Sequence, residues 1–181
     1  MMLSDYTETL EKKRKEISDW MKAKRSEVPI PIYGSVDVRD SGWKVAVVDA
    51  NHFPAGFNNV SEENIEELST LFKDHIQRSH PGCRWVHIYP ESHTRNQAYV
   101  ENISAIKGII EAAGFACTVG SPSLNGLKAL HGISGPLMLA GTALNDDEEL
   151  TVNGKVPDLI LLNNDLTAVS YTHLRAHETQ R

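Results

Sequence analysis

Apolar residues first recur at near-heptad spacing, with Leu3, Tyr6, Leu10, Ile17 and Met21 set among Glu, Lys and Arg. This spacing predicts a helix from Ser4 to Arg25 that Pro29 and Pro31 end. Ile30 to Val38 then reads as extended and runs into the polar turn Arg39-Asp40-Ser41-Gly42. Beyond it, Lys44-Val45-Ala46-Val47-Val48 stops at Asp49 and opens into Ala50-Asn51-His52-Phe53-Pro54-Ala55-Gly56-Phe57-Asn58-Asn59. A short β-branched run closed by an acid predicts a buried parallel strand that delivers polar groups at its C-terminal end. Ser61 is expected to cap the next helix, whose buried stripe is Ile65, Leu68, Phe72 and Ile76, with Pro81-Gly82 as the stop. A second strand, Arg84 to Tyr89, is broken by Pro90. It leads through Glu91-Ser92-His93-Thr94-Arg95-Asn96 into a helix with Tyr99, Ile103, Ile106, Ile109 and Ile110 on its apolar side. Gly114 offers a left-handed cap, and Phe115 to Val119 makes a third strand.

Strand and helix alternate at the spacing of right-handed crossovers, so the expected class is α/β, a mainly parallel, Rossmann-like sheet covered by helices. The pattern loosens between Ser121 and Pro157. There Leu137 to Leu139 reads as a strand, Asn145-Asp146-Asp147-Glu148-Glu149 as an acidic turn, and Asn153-Gly154 as a hairpin between 150–152 and 155–156. The chain returns to the sheet at Asp158-Leu159-Ile160-Leu161-Leu162 and stops at Asn163-Asn164-Asp165. The expected division is an N-terminal helix over 1–29, an α/β substrate-binding domain over 30–168, and a tail over 169–181.

Composition narrows the function. The 181 residues carry a net charge of -6, and Lys12-Lys13-Arg14-Lys15 sits among Glu8, Glu11 and Glu16 as a solvated helix face. Nucleic-acid and anionic-membrane surfaces are thereby disfavoured, leaving a small-molecule partner. Cys83 and Cys117 stand in no metal-ligand spacing, and neither a signal core nor an apolar run of ~18 residues is present, as expected of a reducing cytoplasm. His52, His75, His80, His87, His93 and His131 do not pair at helical spacing, so no metal is assigned to them. The sequence has no P-loop, nucleophile elbow, dinucleotide turn or zinc-protease helix. From the residues alone, the chain is a ligand-binding α/β domain.

Its candidate site follows from the strand ends. Were the strands ending at Val48, Tyr89 and Leu162 parallel members of one sheet, Asp49 and Asn51, the loop residues Asn58 and Asn59, Glu91, His93, Thr94, Arg95 and Asn96, and Asn163, Asn164 and Asp165 would share one polar crevice. Arg39 would reach it from the preceding turn. The helix N-termini near Ser61 and Asn96 would aim positive dipole ends at it.

The segments Ser35-Val36-Asp37-Val38-Arg39, Val48 to Asn59, Pro90 to Asn96 and Asp158 to Leu166 together resemble the proteobacterial glutamate-cysteine ligase family first met in an acidophilic iron oxidiser. Members of that family are considerably longer than this chain. The resemblance implies a pre-ATP-grasp-like substrate domain in an N-terminal fragment of an ATP-dependent ligase. Such ligases make γ-glutamylcysteine, the first step of glutathione synthesis: ATP phosphorylates the γ-carboxylate of glutamate and the cysteine amine attacks the acyl phosphate. That chemistry needs Mg²⁺, cationic donors and positioned polar groups. Arg39 and Arg95 suit carboxylate forks, while Asp49, Glu91 and Asp165 suit an ammonium group. ATP and Mg²⁺ are expected to bind mainly in a C-terminal region absent from this chain, leaving it inactive alone. The alternatives are an amino-acid-binding module without ATP and another amide-forming ligase.

Val169 to Thr179 resembles what one reading frame of a transposon-derived sequencing-library adapter encodes, as in a metagenomic gene fragment. A tail of that origin has no reason to fit the core. Deleting 169–181 is expected to leave the thermal midpoint unchanged, and a loss of several degrees in a melting scan would make the tail a genuine element.

Overall fold

A computed structural model describes residues 3–92 and 95–164. The chain divides into two compact units, Met1–His52 and Phe53–Arg181. Among the described residues, no helix is long and apolar enough to cross a membrane.

In the first unit, α1 (Leu3–Glu27) forms as its spacing predicts. Its basic segment is matched along the helix by Lys12–Glu8 (2.7 Å), Arg14–Glu11 (2.6 Å) and Lys15–Asp19 (2.9 Å). Exposed pairs of this kind each contribute about 0.5 kcal/mol or less. β1 (Ser35–Asp40) and β2 (Val45–Asn51) follow as an antiparallel two-stranded ribbon.

This overturns the reading of Lys44 to Val48 as a buried parallel strand. Every residue of β2 except the half-buried Ala46 is exposed, and among the described residues β2 pairs with β1 alone. The cause is the intervening turn: Gly42 takes φ +83°, its N–H donates to Asp40 Oδ1 at 2.7 Å, and Ser41 N–H donates to Lys44 O at 3.1 Å. So short a connection can only join antiparallel neighbours, because parallel strands need a crossover of a dozen residues or more.

The second unit holds the parallel sheet, with strand order β4-β3-β9 built from β3 (Trp85–Pro90), β4 (Ala116–Val119) and β9 (Leu159–Asn163). Pro90 closes β3 as its last residue instead of interrupting it. Helix α3 (Gln97–Ala112) packs on β3 and β4 and against α2 (Ile65–Ser79). Its Val100, Ile103, Ile106, Ile109 and Ile110 are fully buried with Val86 and Ile88 of β3 and Ile76 of α2. Side chains of this size each contribute about 1.5–3 kcal/mol on burial, which makes this layer the core. At the start of α2, Ser61 makes no side-chain cap; a 3₁₀ turn, Glu62–Asn64, precedes the helix, and Asn64 Nδ2 donates to Ser61 Oγ at 2.9 Å.

Between β4 and β9 the chain makes two small hairpins, β5 (Ala129–His131) with β6 (Pro136–Met138) and β7 (Thr142–Leu144) with β8 (Leu150–Val152). The acidic stretch is the turn of the second hairpin. Asn145 Oδ1 accepts from Asp147 N (3.1 Å) and Glu149 N (2.8 Å), folding the loop back on itself. Asn153 and Gly154 do turn, with φ +51° and +79°, but they close only a Val152–Lys155 bridge.

One buried polar chain runs along the sheet. Trp85 Nε1–H donates to Thr118 Oγ1 at 2.9 Å, Thr118 Oγ1 lies 2.9 Å from His87 Nδ1, and His87 Nε2 lies 3.0 Å from Gly120 O. A carbonyl can only accept, so Nε2 carries the proton and Nδ1 accepts from the Thr118 hydroxyl: His87 is neutral. Burial holds its pKa at about 4 against an ordinary 6.5. The unfolded chain therefore takes up a proton below pH 6.5 that the folded chain refuses until about 4, and stability falls as pH drops across that window. Urea titrations should show a loss of up to ~1.4 kcal/mol per pH unit there, and His87→Leu should remove that slope while lowering stability overall.

Candidate functional site

At the C-terminal edge of a parallel sheet the last strand residues run out of partners, and here side chains supply them. Tyr99, on the first turn of α3, accepts from Glu91 N–H at 2.8 Å and donates to Asn163 O at 2.8 Å, tying the ends of β3 and β9 to one hydroxyl. Asn164 Nδ2 donates to Pro90 O at 3.2 Å. Asn163 is 2% exposed, and its Nδ2 donates to Pro54 O at 3.4 Å. One helical turn beyond Tyr99, Asn102 Oδ1 accepts from both Gly56 N–H (2.8 Å) and Phe57 N–H (2.9 Å). Gly56 sits at φ +144°, where a side chain would be strained. Phe57 then anchors the loop by an edge-to-face contact with Phe72 of α2, ring centres 6.1 Å apart.

The stretch Phe53 to Asn59 is thus fixed at the same edge as Glu91 and Asn163. Of the residues expected in the crevice, Asn58, Asn59, Glu91, Arg95, Asn96, Asn163 and Asn164 lie on these edge loops. Asn58, Asn59, Arg95 and Asn96 are exposed, and Glu91 is half-buried. Three of the asparagines have structural duties. Asn163 and Asn164 spend their amides on backbone carbonyls, and Asn96 Oδ1 accepts from Ala98 N (3.1 Å) and Tyr99 N (3.3 Å), capping α3. The helix end near Asn96, expected to aim a positive dipole end at the crevice, thus has two of its first amides taken by its own cap. The other end is no better suited, because Glu62, Glu63, Glu66 and Glu67 crowd the start of α2. His93, Thr94 and Asp165 lie outside the described residues.

Arg39, Asp49 and Asn51 belong to the ribbon and not to the parallel sheet, so the single crevice built from three parallel strand ends is overturned. The ribbon orders them in another way. Val38 faces Val47, but Asp37 faces Asp49, leaving Val48 as an extra residue in β2. This one-residue slip places Ser35, Asp37, Arg39, Asp49 and Asn51 on one face and Val36, Val38, Val45, Val47 and Ala50 on the other.

Sequence reasoning missed Tyr99 and Asn102 as polar residues of the edge. Asn102 had a legible signal, since it is an amide next to Ile103 inside an otherwise apolar helix stripe, where a polar side chain must find buried partners. Among the described residues no three His, Cys, Asp or Glu side chains gather as a metal would require. An open depression of about 430 Å³, lined by Asn125, Gly126, Gly141, Thr142, Ala143, Asn153 and Gly154, has no ionisable group. Of its two asparagine amides, that of Asn125 is occupied by the Thr142 backbone, at 2.6 Å and 3.1 Å.

The fold is that of a mixed α/β domain with a parallel sheet and small antiparallel hairpins. The chain belongs to the glutamate-cysteine ligase family, whose sequence model matches residues 7–180 and so runs through the tail. Among solved structures it is similar to a candidate gamma-glutamylcysteine synthetase from Methylobacillus flagellatus KT, with 28% identity and a TM-score of 0.82. The match covers 92% of this chain and 41% of that one, so the chain spans well under half of its structural relative. No curated protein matches it.

Tyr99→Phe should unfasten both strand ends together. Removing a hydroxyl that serves two backbone groups is expected to cost about 1–3 kcal/mol in chemical denaturation, with the far-ultraviolet dichroism of the folded state unchanged. A loss within error would mean that the edge does not depend on Tyr99.

Proposed function

We propose that this chain is the amino-acid-handling portion of an ATP-dependent ligase that joins glutamate to cysteine through the γ-carboxylate. The observation that carries the reading is the family match across residues 7–180. Within the second unit, Arg95 offers a guanidinium fork to a substrate carboxylate and Glu91 a carboxylate to an ammonium group, with Asn58 and Asn59 as adaptable donors and acceptors. In the first unit, the polar ribbon face offers Arg39, Asp49 and Asn51 for the same chemistry.

ATP and Mg²⁺ are part of the proposed reaction, with ATP activating the γ-carboxylate as an acyl phosphate. The described residues do not fit them. No acidic cluster could hold the metal, and both long helices of the second unit begin where anions are poorly served. No step is therefore assigned here through either group; both are expected on chain beyond these residues. The proteobacterial type rests on the segments Val48 to Asn59 and Pro90 to Asn96, and the adapter-derived reading of the tail on Val169 to Thr179. Two free cysteines, Cys83 and Cys117, fit a reducing cytoplasm.

The 181-residue chain alone should form no γ-glutamylcysteine above a no-enzyme control with ATP and Mg²⁺. In a full-length family member carrying these residues, Arg95→Ala should raise KM for one amino-acid substrate about tenfold or more. Its effect on stability should stay within ~0.5 kcal/mol, as for an exposed loop residue. An unchanged KM for both amino acids would remove Arg95 from the site.

A further inference from the structure

Asn102 is fully buried, yet only half of its amide is used. Its Oδ1 accepts two backbone N–H groups, from Gly56 and Phe57, which fixes the orientation of the amide because a turned Nδ2 would face two donors. Among the described residues, Nδ2 is then left as a buried donor with no partner. Burying an unsatisfied donor is costly, so shape filling alone does not account for an asparagine at this position of α3. Leucine would fill a similar volume beside Ile103 without that cost, but it could not accept from the loop.

The loop cannot satisfy those two N–H groups itself. Gly56 at φ +144° turns successive amides toward the helix, and Phe57 begins a 3₁₀ turn, Phe57–Asn59, whose first amides have no partner within it. The same side chain that ends this shortage sets the direction in which the turn leaves the edge. The next residues of that turn are Asn58 and Asn59, both exposed. A second buried amide, Asn163, holds the loop one step earlier through Pro54 O.

We propose that Asn102 is a positioning residue of the ligase site: its side-chain oxygen latches the Gly56–Phe57 backbone and so aims Asn58 and Asn59 at the α-carboxylate and ammonium groups of an amino-acid substrate. The proposal rests on the ligase reading given above. It adds a specificity element from inside the core that touches no substrate itself.

Two variants test it. Asn102→Leu removes the latch together with the orphan donor, which limits the cost to folding. Asn102→Asp keeps an oxygen for both N–H groups. In the 181-residue chain, hydrogen exchange at the Gly56 and Phe57 amides should quicken about tenfold or more in Asn102→Leu and stay slow in Asn102→Asp, with β3 amides equally protected in both. In a full-length family member carrying these residues, Asn102→Leu should raise KM for one amino acid about tenfold, leave KM for ATP within threefold, and recover in Asn102→Asp. A purely structural role would lower the melting temperature without that split, and unchanged exchange or unchanged amino-acid KM overturns the proposal. If the full-length wild type forms no γ-glutamylcysteine, the ligase reading falls and the substrate role falls with it, while the exchange data still show whether the latch exists.

Discussion

Buried backbone N–H and C=O groups must find partners, and at the rim of a three-stranded sheet the strands cannot supply them all. The second unit solves this with side chains from α3 and β9. Tyr99 and Asn102 lie three residues apart on one helix face, so a single rigid element serves Glu91 and Asn163 with one group and Gly56 and Phe57 with the other. The opposite rim is closed on the same principle: Asp158 Oδ2 accepts from Arg84 N–H and Trp85 N–H at 2.9 Å each, setting β3 against β9 where the strands begin. Because the loops at Gly56–Phe57, Glu91 and Asn163 bond to α3, its buried isoleucines position the candidate site as well as stabilise the core.

Close approach adds a second constraint. A Cβ on Gly120 would stand 2.5 Å from Ala140 O, so the exit of β4 can meet the next segment only with glycine there. The contact lets Ala140 N–H donate to Val119 O at 2.8 Å, while Gly120 O receives His87 Nε2–H. On the other side of α3, Glu101 accepts from Ser134 N–H at 2.6 Å, a bond that holds its carboxyl below the usual range. Its carboxylate occupies the space that a Cβ on Gly132 would need. The two hairpins are therefore attached to the helical core by a carboxylate and by glycines, not by an apolar seam alone.

Much of this was legible in the sequence and some was not, for identifiable reasons. The stripes Phe72–Ile76 and Ile103–Ile106–Ile110 have helical period and large apolar residues, so the helices and the parallel pairing of β3 with β4 and β9 followed. Strand β2 failed because Val45, Val47 and Val48 satisfy a buried strand and an exposed ribbon equally well, and the deciding information lay in the length of the turn before it. Of the three strand ends expected to meet, only those of β3 and β9 are parallel neighbours, and the duties of the asparagines there were not readable. An asparagine that caps a helix, as Asn96 does, and one that faces solvent, as Asn58 does, carry the same letter.

The ribbon shows how one extra residue can rescue a pattern that fails at strict period two. In β2 the alternation of Val45, Val47 and Asp49 would put the carboxylate on the valine face, and Ala50 on the face of Ala46. The slip at Val48 reverses that order, so Asp49 pairs with Asp37 and joins Arg39 and Asn51 on the polar side. Two carboxylates directly across from each other repel. Arg39, two residues along β1 on the same face, supplies the neighbouring positive charge. The bulge therefore does more than bend the strand: it is what places Asp37, Arg39, Asp49 and Asn51 on a single surface.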